Sequence, residues 1–214
     1  MENEKIKLPK GMLVVGIAGG SGSGKTTVAE KLKTALGKKC SAIQFDHYYI
    51  DRPDLSESER HAINYDHPDA LEISLLTQHI GALKNGDAVS VPQYDFVNHR
   101  RKDTTTTVGQ CSVLIVEGIL ALAIEDVRSL FDIKVFVDTD PDIRVMRRIR
   151  RDLEQRGRSF GSIRARYYDH VRPMHLKFVE PSKQWADIIV PEGGGNEVAN
   201  AILLARLNEH IRTN

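Results

Sequence analysis

A glycine-rich loop that follows an apolar run is the clearest sign of chemistry in the sequence. It fits the pattern G-x-x-x-x-G-K-[ST] and consists of Gly19, Gly20, Ser21, Gly22, Ser23, Gly24, Lys25 and Thr26, with Thr27 next. Glycines let the backbone curl with its N–H groups turned inward, and the following helix points its positive end at the same place. Lys25 would reach the β- and γ-phosphates of a nucleotide, and the Thr26 hydroxyl would hold Mg²⁺. A chance Gly–Ser linker would seldom lie between an apolar strand and an amphipathic helix, so the loop predicts nucleoside triphosphate binding.

An acidic residue on a neighbouring strand should complete the metal site. Glu117 ends the apolar run VLIVE and fits by position, whereas Asp138 and Asp140, at the end of KVFVDTD, are rivals. An acid that merely caps a strand end is the competing interpretation of Glu117. None of these residues indicates which molecule accepts the phosphoryl group.

Arginines are concentrated in residues 141–158. Two faces of the predicted helix differ in composition: one carries Arg144, Arg148 and Arg151, and the other carries Met146, Ile149 and Leu153. The pattern predicts that the apolar face is buried, and a solvated charged face is the ordinary fate of such a run. Guanidiniums also match the charge of a transferring phosphoryl group. We therefore expect Arg156 and Arg158, with Gly157 as a hinge between them, to belong to a lid at about residues 150–170.

A kinase that acts on an alcohol needs a carboxylate to orient the attacking hydroxyl and accept its proton. Asp46 ends the run SAIQFD, where ligands of open α/β sheets gather, so it is the candidate base, although it could only cap a turn. Asp66, in NYDHPD, could bind two ribose hydroxyls or only shape the turn before the next proline. Tyr94, Phe96 and His99 could stack on a base and bind its edge, although aromatic residues of hairpins more often pack.

The composition is that of an ordinary globular protein. The chain has 214 residues, of which 41% are hydrophobic and 28% charged, and its net charge is +1. This balance argues against a nucleic-acid or anionic-membrane partner. Cys40 and Cys111 lie at or near the starts of apolar runs and indicate small buried residues rather than a disulfide or a nucleophile. The N-terminus MENEKIKLPKG is polar, and no run approaches membrane-spanning length, so we expect a cytoplasmic protein.

Apolar runs that alternate with helical patterns predict the fold. The predicted strands are Met12–Ala18, Ser41–Asp46, Ser112–Glu117, Asp132–Asp138 and Ala186–Pro191. The predicted helices run from Lys25 to a stop at Gly37, from Leu71 to Leu83, from Pro141 to Gln155, and from a cap at Asn196 to Ile211. Residues 88–108 predict a hairpin that projects from the sheet and shapes a substrate pocket. We expect one α/β domain, residues 1–214, with a doubly wound parallel five-stranded sheet of the P-loop NTPase type, helices on both faces and an inserted β-hairpin.

Several segments, in order from about Gly16 to Gly195, together resemble the uridine-cytidine kinase family. They are GIAGGSGSGKTTVA, DHYY, YDHPDAL, VPQYDFVNHRR, EGIL, VFVDTDPDIRVMRRIRRDLEQRGR, VRPMH and FVEPSKQWADIIVPEGG. The resemblance implies phosphorylation of uridine and cytidine at the 5′-hydroxyl to give UMP and CMP, with ATP or GTP as donor and Mg²⁺. It also implies a homotetramer that UTP and CTP inhibit.

The same resemblance implies roles for individual residues on the acceptor and the donor side. On the acceptor side these are Asp46 as base, Tyr49 beside the nucleoside, Asp66 and Arg148 on the ribose hydroxyls, Tyr94 and His99 on the pyrimidine edge, and Phe96 packed beside the base. On the donor side they are Lys25, Glu117 as the acid near Mg²⁺, and the lid arginines Arg151, Arg156 and Arg158.

Three positions depart from the family pattern. Phe45 stands where Gln is common, Ile50 where Lys is frequent, and Arg166 where Gln is common. The first two could alter the polarity of the acceptor site, and we expect the third to add a charge near the donor. Since His99 is present, both uridine and cytidine are expected to be accepted.

Other functions compete with this interpretation. A kinase of the phosphoribulokinase or pantothenate kinase type would share the loop and the fold but lack the YDF-x-x-H hairpin. A GTPase-like switch would be expected to carry an N-K-x-D run, which the sequence lacks. An inactive sensor is disfavoured because Lys25, Asp46 and Arg156 are intact.

Overall fold

The computed structural model describes residues 10–213, so the expectation about a signal peptide falls mostly outside it. The strands are β1 (Leu13–Gly19), β2 (Cys40–Gln44), β3 (Val89–Asp95), β4 (Arg100–Val108), β5 (Val113–Glu117), β6 (Ile133–Asp138) and β7 (Ile188–Pro191). The α-helices are α1 (Lys25–Leu36), α2 (Glu57–Ala62), α3 (Ile73–Lys84), α4 (Glu125–Arg128), α5 (Pro141–Arg156), α6 (Phe160–Arg166), α7 (Arg172–Met174), α8 (Glu180–Ser182) and α9 (Glu197–Thr213).

Five strands form one parallel sheet in the order β2-β5-β1-β6-β7. Parallel neighbours require crossover connections, and these connections bring the carboxyl ends of all five strands to the same edge. All five predicted strands and the predicted α/β class are confirmed. The second strand ends at Gln44, so Asp46 lies in the 3₁₀ turn Phe45–Tyr48 rather than on the strand itself.

Helices cover both faces of this sheet. From the central strand, Val15 packs with α1 and α9 in one apolar core, whereas Val14 packs with α3 and Val127 of α4 in another. All seven residues of β1 are buried. Because neither face meets water, the strand is apolar at every position instead of alternating, which is the pattern the sequence analysis used.

The ends of three helices are those that the sequence predicted. Gly37 follows α1 at φ +57°, and Gly157 follows α5 at φ +61°, a backbone conformation that favours glycine. The side chain of Asn196 accepts a hydrogen bond from the Ala199 N–H at 2.9 Å and thereby caps α9.

The predicted hairpin is confirmed as a separate antiparallel pair, β3 with β4. Its turn is held by the Asp95 carboxylate, which accepts hydrogen bonds from the N–H groups of Val97 and Asn98. The Asp51 carboxylate accepts a hydrogen bond from Arg100 Nε at 2.8 Å and one from the Arg101 N–H at 3.1 Å. These bonds attach the hairpin to the loop that follows β2, the same loop that carries Asp46.

After α5 the chain continues as an almost unbroken series of helical turns from Phe160 to Trp185, which we call the helical rod. Two π-helical turns, Tyr167–Val171 and His175–Val179, join α6, α7 and α8 within it. Residues 150–170, predicted as a lid, therefore span the end of α5 and the start of the rod. No helix in residues 10–213 is both long and apolar enough to cross a bilayer.

The predicted orientation of α5 is wrong. Met146 and Leu153, expected in the core, have 65% and 43% of their surface exposed, whereas Arg148 and Asp152 are buried. The helix does not cover the sheet; its inner side faces the phosphate loop and the start of the rod, through contacts such as that of Arg148 with Ser21. Periodicity alone identifies two different faces but does not say which one meets polar neighbours.

A buried carboxylate explains the inverted burial. Asp152 is fully buried, and four guanidiniums surround it, those of Arg148, Arg151, Arg156 and Arg158, at 3.7, 2.9, 3.7 and 3.1 Å. Burial opposes ionisation, but the charges of the arginines outweigh it and hold the pKa of Asp152 below its usual value. The polar side of α5 is therefore its buried side, because each charge there has a partner.

We predict that Asp152→Asn lowers the free energy of unfolding at neutral pH by about 3 kcal/mol, because it leaves buried guanidiniums without their counter-ion. Since the pKa of Asp152 is lowered in the folded state, the ionised carboxylate contributes stability at neutral pH and loses that contribution as the pH falls through its pKa. Urea denaturation should therefore give a difference between wild type and variant that narrows in acid.

Glu154→Gln is the matched control. Glu154 pairs with Arg150 on the exposed side of the same helix, at 3.7 Å, and its loss should cost less than about 1 kcal/mol. Equal losses in the two variants would contradict the role given to the buried carboxylate.

Candidate active site

The predicted phosphate loop lies between the end of β1 and the start of α1. Gly22 and Gly24 have φ of +83° and +95°, and Ser23 N–H donates to the Gly20 carbonyl at 3.0 Å, so the loop closes as a tight turn. A Cβ atom on Gly22 would lie 2.4 Å from the Arg144 carbonyl oxygen. The glycine is thus required by both backbone conformation and space.

Two segments that the sequence analysis did not assign support the loop from outside. The Thr139 hydroxyl donates a hydrogen bond to the Ser23 carbonyl at 2.9 Å. The turn after β7 packs against the start of α1, where a Cβ atom on Gly194 would lie 2.4 Å from the Thr27 side chain. The run of three glycines in PEGGGN was the sequence signal for this close approach.

Glu117 joins the two loop residues predicted to meet the phosphates and the metal. Its carboxylate accepts a hydrogen bond from Thr26 Oγ1 at 2.9 Å and lies 3.8 Å from Lys25 Nζ. Burial raises the pKa of Glu117, and the Lys25 charge opposes the increase. The rival Asp138 instead forms an ion pair with Lys183 at 2.5 Å. The geometry therefore favours Glu117 over Asp138 as the acid of the metal site.

The donor set suits Mg²⁺. A hydroxyl and a carboxylate are the hard oxygen ligands that this ion prefers, and both lie where the phosphates of a nucleotide would complete the coordination. A cavity of about 240 Å³ beside them is also lined by Gln44 and His47. Within residues 10–213 no group of three or more His, Cys, Asp or Glu could hold a metal ion.

Asp46 lies between the metal acid and the arginines. It accepts a hydrogen bond from the Tyr49 hydroxyl at 3.3 Å. The charge of Asp46 contributes to raising the pKa of Glu117. It also favours the charged form of Arg156, but burial has the larger effect and lowers the pKa of Arg156 to about 10. These interactions place the candidate base within electrostatic reach of both groups.

A cluster of packed aromatic rings adjoins Asp46. The Tyr49 ring contacts those of Tyr65 and Tyr94 edge-on, at 5.0 and 5.2 Å between centroids. The His99 imidazole stacks on Tyr65 at 4.5 Å with an angle of 11° between the planes. Phe96 contacts Tyr94 at 5.5 Å and lies 5.1 Å below the Arg156 guanidinium. The structure thus brings together Tyr49, Tyr94, Phe96 and His99, which the sequence proposed separately.

Tyr65 was missed, although it stands beside the predicted Asp66. Single aromatic residues in loops carry no periodic signal, so its stacking against His99 could only be seen in three dimensions. Asp66 itself is half-buried, and its N–H donates to the Asn64 side chain at 3.2 Å. Its charge acts on both Tyr49 and Arg166, so Asp66 lies near the same cluster.

The arginines lie close together, although they come from α5 and from the short segment between α5 and α6. Arg148 Nη1 donates to Ser21 Oγ of the phosphate loop at 2.8 Å, so it contacts the donor side, and its predicted role on the ribose hydroxyls stays a prediction. Arg151 and Arg158 bind Asp152, and Arg156 faces Phe96. On the other side of the loop, Arg144 Nη2 lies 3.1 Å from His175 Nε2 of the rod, beside Gly20.

Arg166, which was expected to add a charge near the donor, contacts α2. Its guanidinium donates a hydrogen bond to the His61 carbonyl, and the nearby charges include Asp66 as well as Arg158 and Arg148. It therefore lies on the acceptor side of the site. Arg166 ends α6, and the extent of the rod over the aromatic cluster could not be deduced from the sequence.

Both cysteines lie apart from these groups. Cys40 and Cys111 are buried and form no disulfide, and burial raises the pKa of Cys40 to about 12. Burial thus disfavours the thiolate, the form in which a cysteine is reactive. The predicted structural role of the two residues is confirmed.

Known proteins share this fold over most of the chain. Phosphoribulokinase from Rhodobacter spheroides superposes with a TM-score of 0.66 at 16% identity, over 86% of this chain and 71% of that protein. At this identity the likeness establishes the fold, a P-loop kinase architecture, and nothing finer.

Sequence comparisons find relatives of much higher identity. The model of the Phosphoribulokinase / Uridine kinase family matches residues 14–199. The chain is 48% identical to Uridine kinase of Macrococcus caseolyticus over 200 residues, which cover 93% of this chain and 97% of that protein. It is 47% identical to Uridine kinase of Staphylococcus aureus over 203 residues, or 94% and 98% of the two chains. With its phosphate loop, acid and arginines in place, the chain belongs to the phosphoribulokinase and uridine kinase family.

Proposed function

We propose that the protein transfers the γ-phosphoryl group of ATP to the 5′-hydroxyl of uridine and cytidine, giving UMP and CMP. The observation that carries the proposal is a cluster of aromatic rings with buried polar atoms beside Asp46. The uridine kinases that are 47–48% identical over nearly their whole length support the same acceptors.

The cluster suits the edge of a pyrimidine. The Tyr65 and Tyr94 hydroxyls and His99 Nδ1 are buried. The two hydroxyls lie close enough to act on each other, whereas His99 Nδ1 has no hydrogen-bond partner within residues 10–213. Buried polar atoms normally have partners, and the base of a nucleoside would supply both donors and acceptors here. The flat rings around them would contact the face of the base.

The phosphoryl transfer then follows from the positions of the charges. Asp46 would orient the 5′-hydroxyl and accept its proton as the oxygen bonds to the γ-phosphorus, while the bond from that phosphorus to the bridging oxygen breaks and ADP leaves. Mg²⁺, held through Thr26 and Glu117, supplies positive charge to the phosphates when bound. Lys25, Arg151, Arg156 and Arg158 would stabilise the negative charge on the transferred group.

The remaining assignments belong to the same proposal. GTP is a second candidate donor, and Asp66 with Arg148 would bind the ribose hydroxyls. A cytoplasmic location, without a nucleic-acid or membrane partner, suits the near-neutral charge of the chain. A homotetramer stays a prediction; the exposed apolar side chains of α5, Met146 and Leu153, offer a surface for it.

We predict that ADP release in the presence of Mg²⁺ and ATP depends on uridine or cytidine. A coupled assay measures ADP release with each of five additions: uridine, cytidine, ribulose 5-phosphate, pantothenate, and no acceptor. If ADP release required ribulose 5-phosphate or pantothenate, the family assignment would stand, but the proposed contacts of Tyr94 and His99 with a pyrimidine base would be wrong.

We predict that Asp46→Asn lowers kcat by about 100-fold or more, because the proton acceptor is lost, while ATP binding persists. Titration calorimetry with ATP and steady-state kinetics separate the two effects. Asp54→Asn, an exposed change in the following loop, is the control and should leave kcat within about twofold of wild type. Normal turnover by Asp46→Asn would show that another group takes the proton.

A further inference from the structure

The Arg144 side chain lies against the outside of the phosphate loop. A Cβ atom on Gly20 would be 2.3 Å from Arg144 Nη1, so the guanidinium packs directly on the loop backbone. Arg144 Nε donates a hydrogen bond to the Thr139 carbonyl at 2.9 Å, and the Thr139 hydroxyl in turn donates to the Ser23 carbonyl. Arg144 is near the start of α5 and is only partly exposed. It therefore places a positive charge beside the loop that would hold the phosphates.

The helical rod contacts this guanidinium through His175. The imidazole Nε2 lies 3.1 Å from Arg144 Nη2, and the imidazole Cε1 would be 3.1 Å from a Cβ atom on Gly20. His175 is the first residue of its π-helical turn, and its side chain is 13% exposed. The guanidinium is thus fixed at two points, on the Thr139 carbonyl and on the imidazole, while Nη1 faces the loop.

The direction of the hydrogen bond between the two side chains follows from the donors present. A guanidinium can only donate, so His175 Nε2 must accept, as it does in a neutral ring. Burial and then the charge of Arg144 lower the pKa of His175, so the ring is neutral at neutral pH, although the charges of Glu180 and Asp138 act in the opposite direction. The Glu180 carboxylate lies 3.3 Å from the same nitrogen and could accept a hydrogen bond there only from a charged ring.

A fixed guanidinium favours an anion more than a mobile one does. An arginine side chain has many rotamers, and only some of them would keep its charge beside the phosphates. The contact with His175 selects such a rotamer before the nucleotide binds, so less affinity is lost to ordering the side chain. His175 would then act on the nucleotide through Arg144, without touching the reacting atoms.

We propose that His175 is a positioning residue for the donor nucleotide, which holds the Arg144 guanidinium against the phosphate loop and thereby strengthens the binding of the triphosphate. The proposal rests on the proposed function, because it concerns the donor side of the same reaction. It gives a role to two residues that belong neither to the glycine motif nor to the predicted lid arginines.

The test is titration calorimetry with Mg²⁺ and ATP in the absence of a nucleoside. His175→Leu removes the acceptor and should raise the Kd for ATP about tenfold, which corresponds to one hydrogen bond to a charged group. His175→Gln retains an oxygen that can accept from Arg144, and its Kd should stay within about threefold of wild type. In steady-state kinetics the KM for ATP should follow the same order, while the KM for uridine stays within about twofold of wild type.

A double-mutant cycle shows whether His175 acts through Arg144. Arg144→Ala should raise the Kd for ATP at least as much as His175→Leu does. Adding His175→Leu to Arg144→Ala should then change the Kd by less than about twofold, because the partner is already absent. Leu176→Ala is the matched control: Leu176 is the next residue of the rod, it is 53% exposed, and its loss should leave the Kd for ATP unchanged.

Three results would overturn the proposal: a wild-type Kd for ATP in His175→Leu, a loss in His175→Gln as large as that in His175→Leu, or an undiminished effect of His175→Leu in the Arg144→Ala background. A general loosening of the structure would raise the KM for uridine as much as that for ATP, and this result also counts against the proposal. The absence of nucleoside-dependent ADP release in wild type would reject the proposed function, whereas normal release with a wild-type Kd for ATP in His175→Leu rejects only the role of His175.

Discussion

The structure depends on one constraint: the glycines of the phosphate loop and of the turn after β7 leave no room for a side chain. A Cβ atom at Gly22 would collide with the Arg144 carbonyl, and one at Gly193 would lie 2.2 Å from the Ser23 carbonyl. The loop is thus compressed between the start of α5 and the turn after β7. Both outer surfaces of the loop are therefore in contact with other segments. The strand order that sets β6 beside β1 and β7 beside β6 supplies both of those segments.

Charge is distributed around this loop in pairs. Glu117 is balanced by Lys25 on the metal side, and Asp152 is balanced by several arginines on the lid side. The excess of guanidiniums over carboxylates near Asp46 is what a triphosphate, with its high negative charge, would require. Aromatic rings occupy the acceptor side instead, so the two halves of the site differ in the kind of group that they can bind. The polarity of α5 follows from this arrangement, because its inner side meets charges rather than the sheet.

Much of this organisation could be predicted from the sequence. The strands were recognisable because residues such as Val14 and Val15 are buried on opposite faces and leave no polar alternation. The glycine loop was recognisable because its spacing is dictated by phosphate geometry. Glu117 could be proposed because it ends an apolar strand, but its rivals could not be separated from it by sequence. The buried face of α5 could not be predicted, because amphipathicity distinguishes two faces of a helix but does not say which neighbours each face contacts. Tyr65 and Arg166 were also beyond reach, because their partners lie far away in the chain or in loops without periodicity.

The helical rod has a mechanical consequence. At one end Arg166 is bonded to the acceptor side, through His61, and nine residues later His175 touches Arg144 beside the phosphate loop. A helical stretch of that length spans about 14 Å and resists bending. The rod therefore acts as a lever with one contact at each substrate position. A movement of the rod as one body, away from both contacts, would change the nucleoside side and the nucleotide side of the site together.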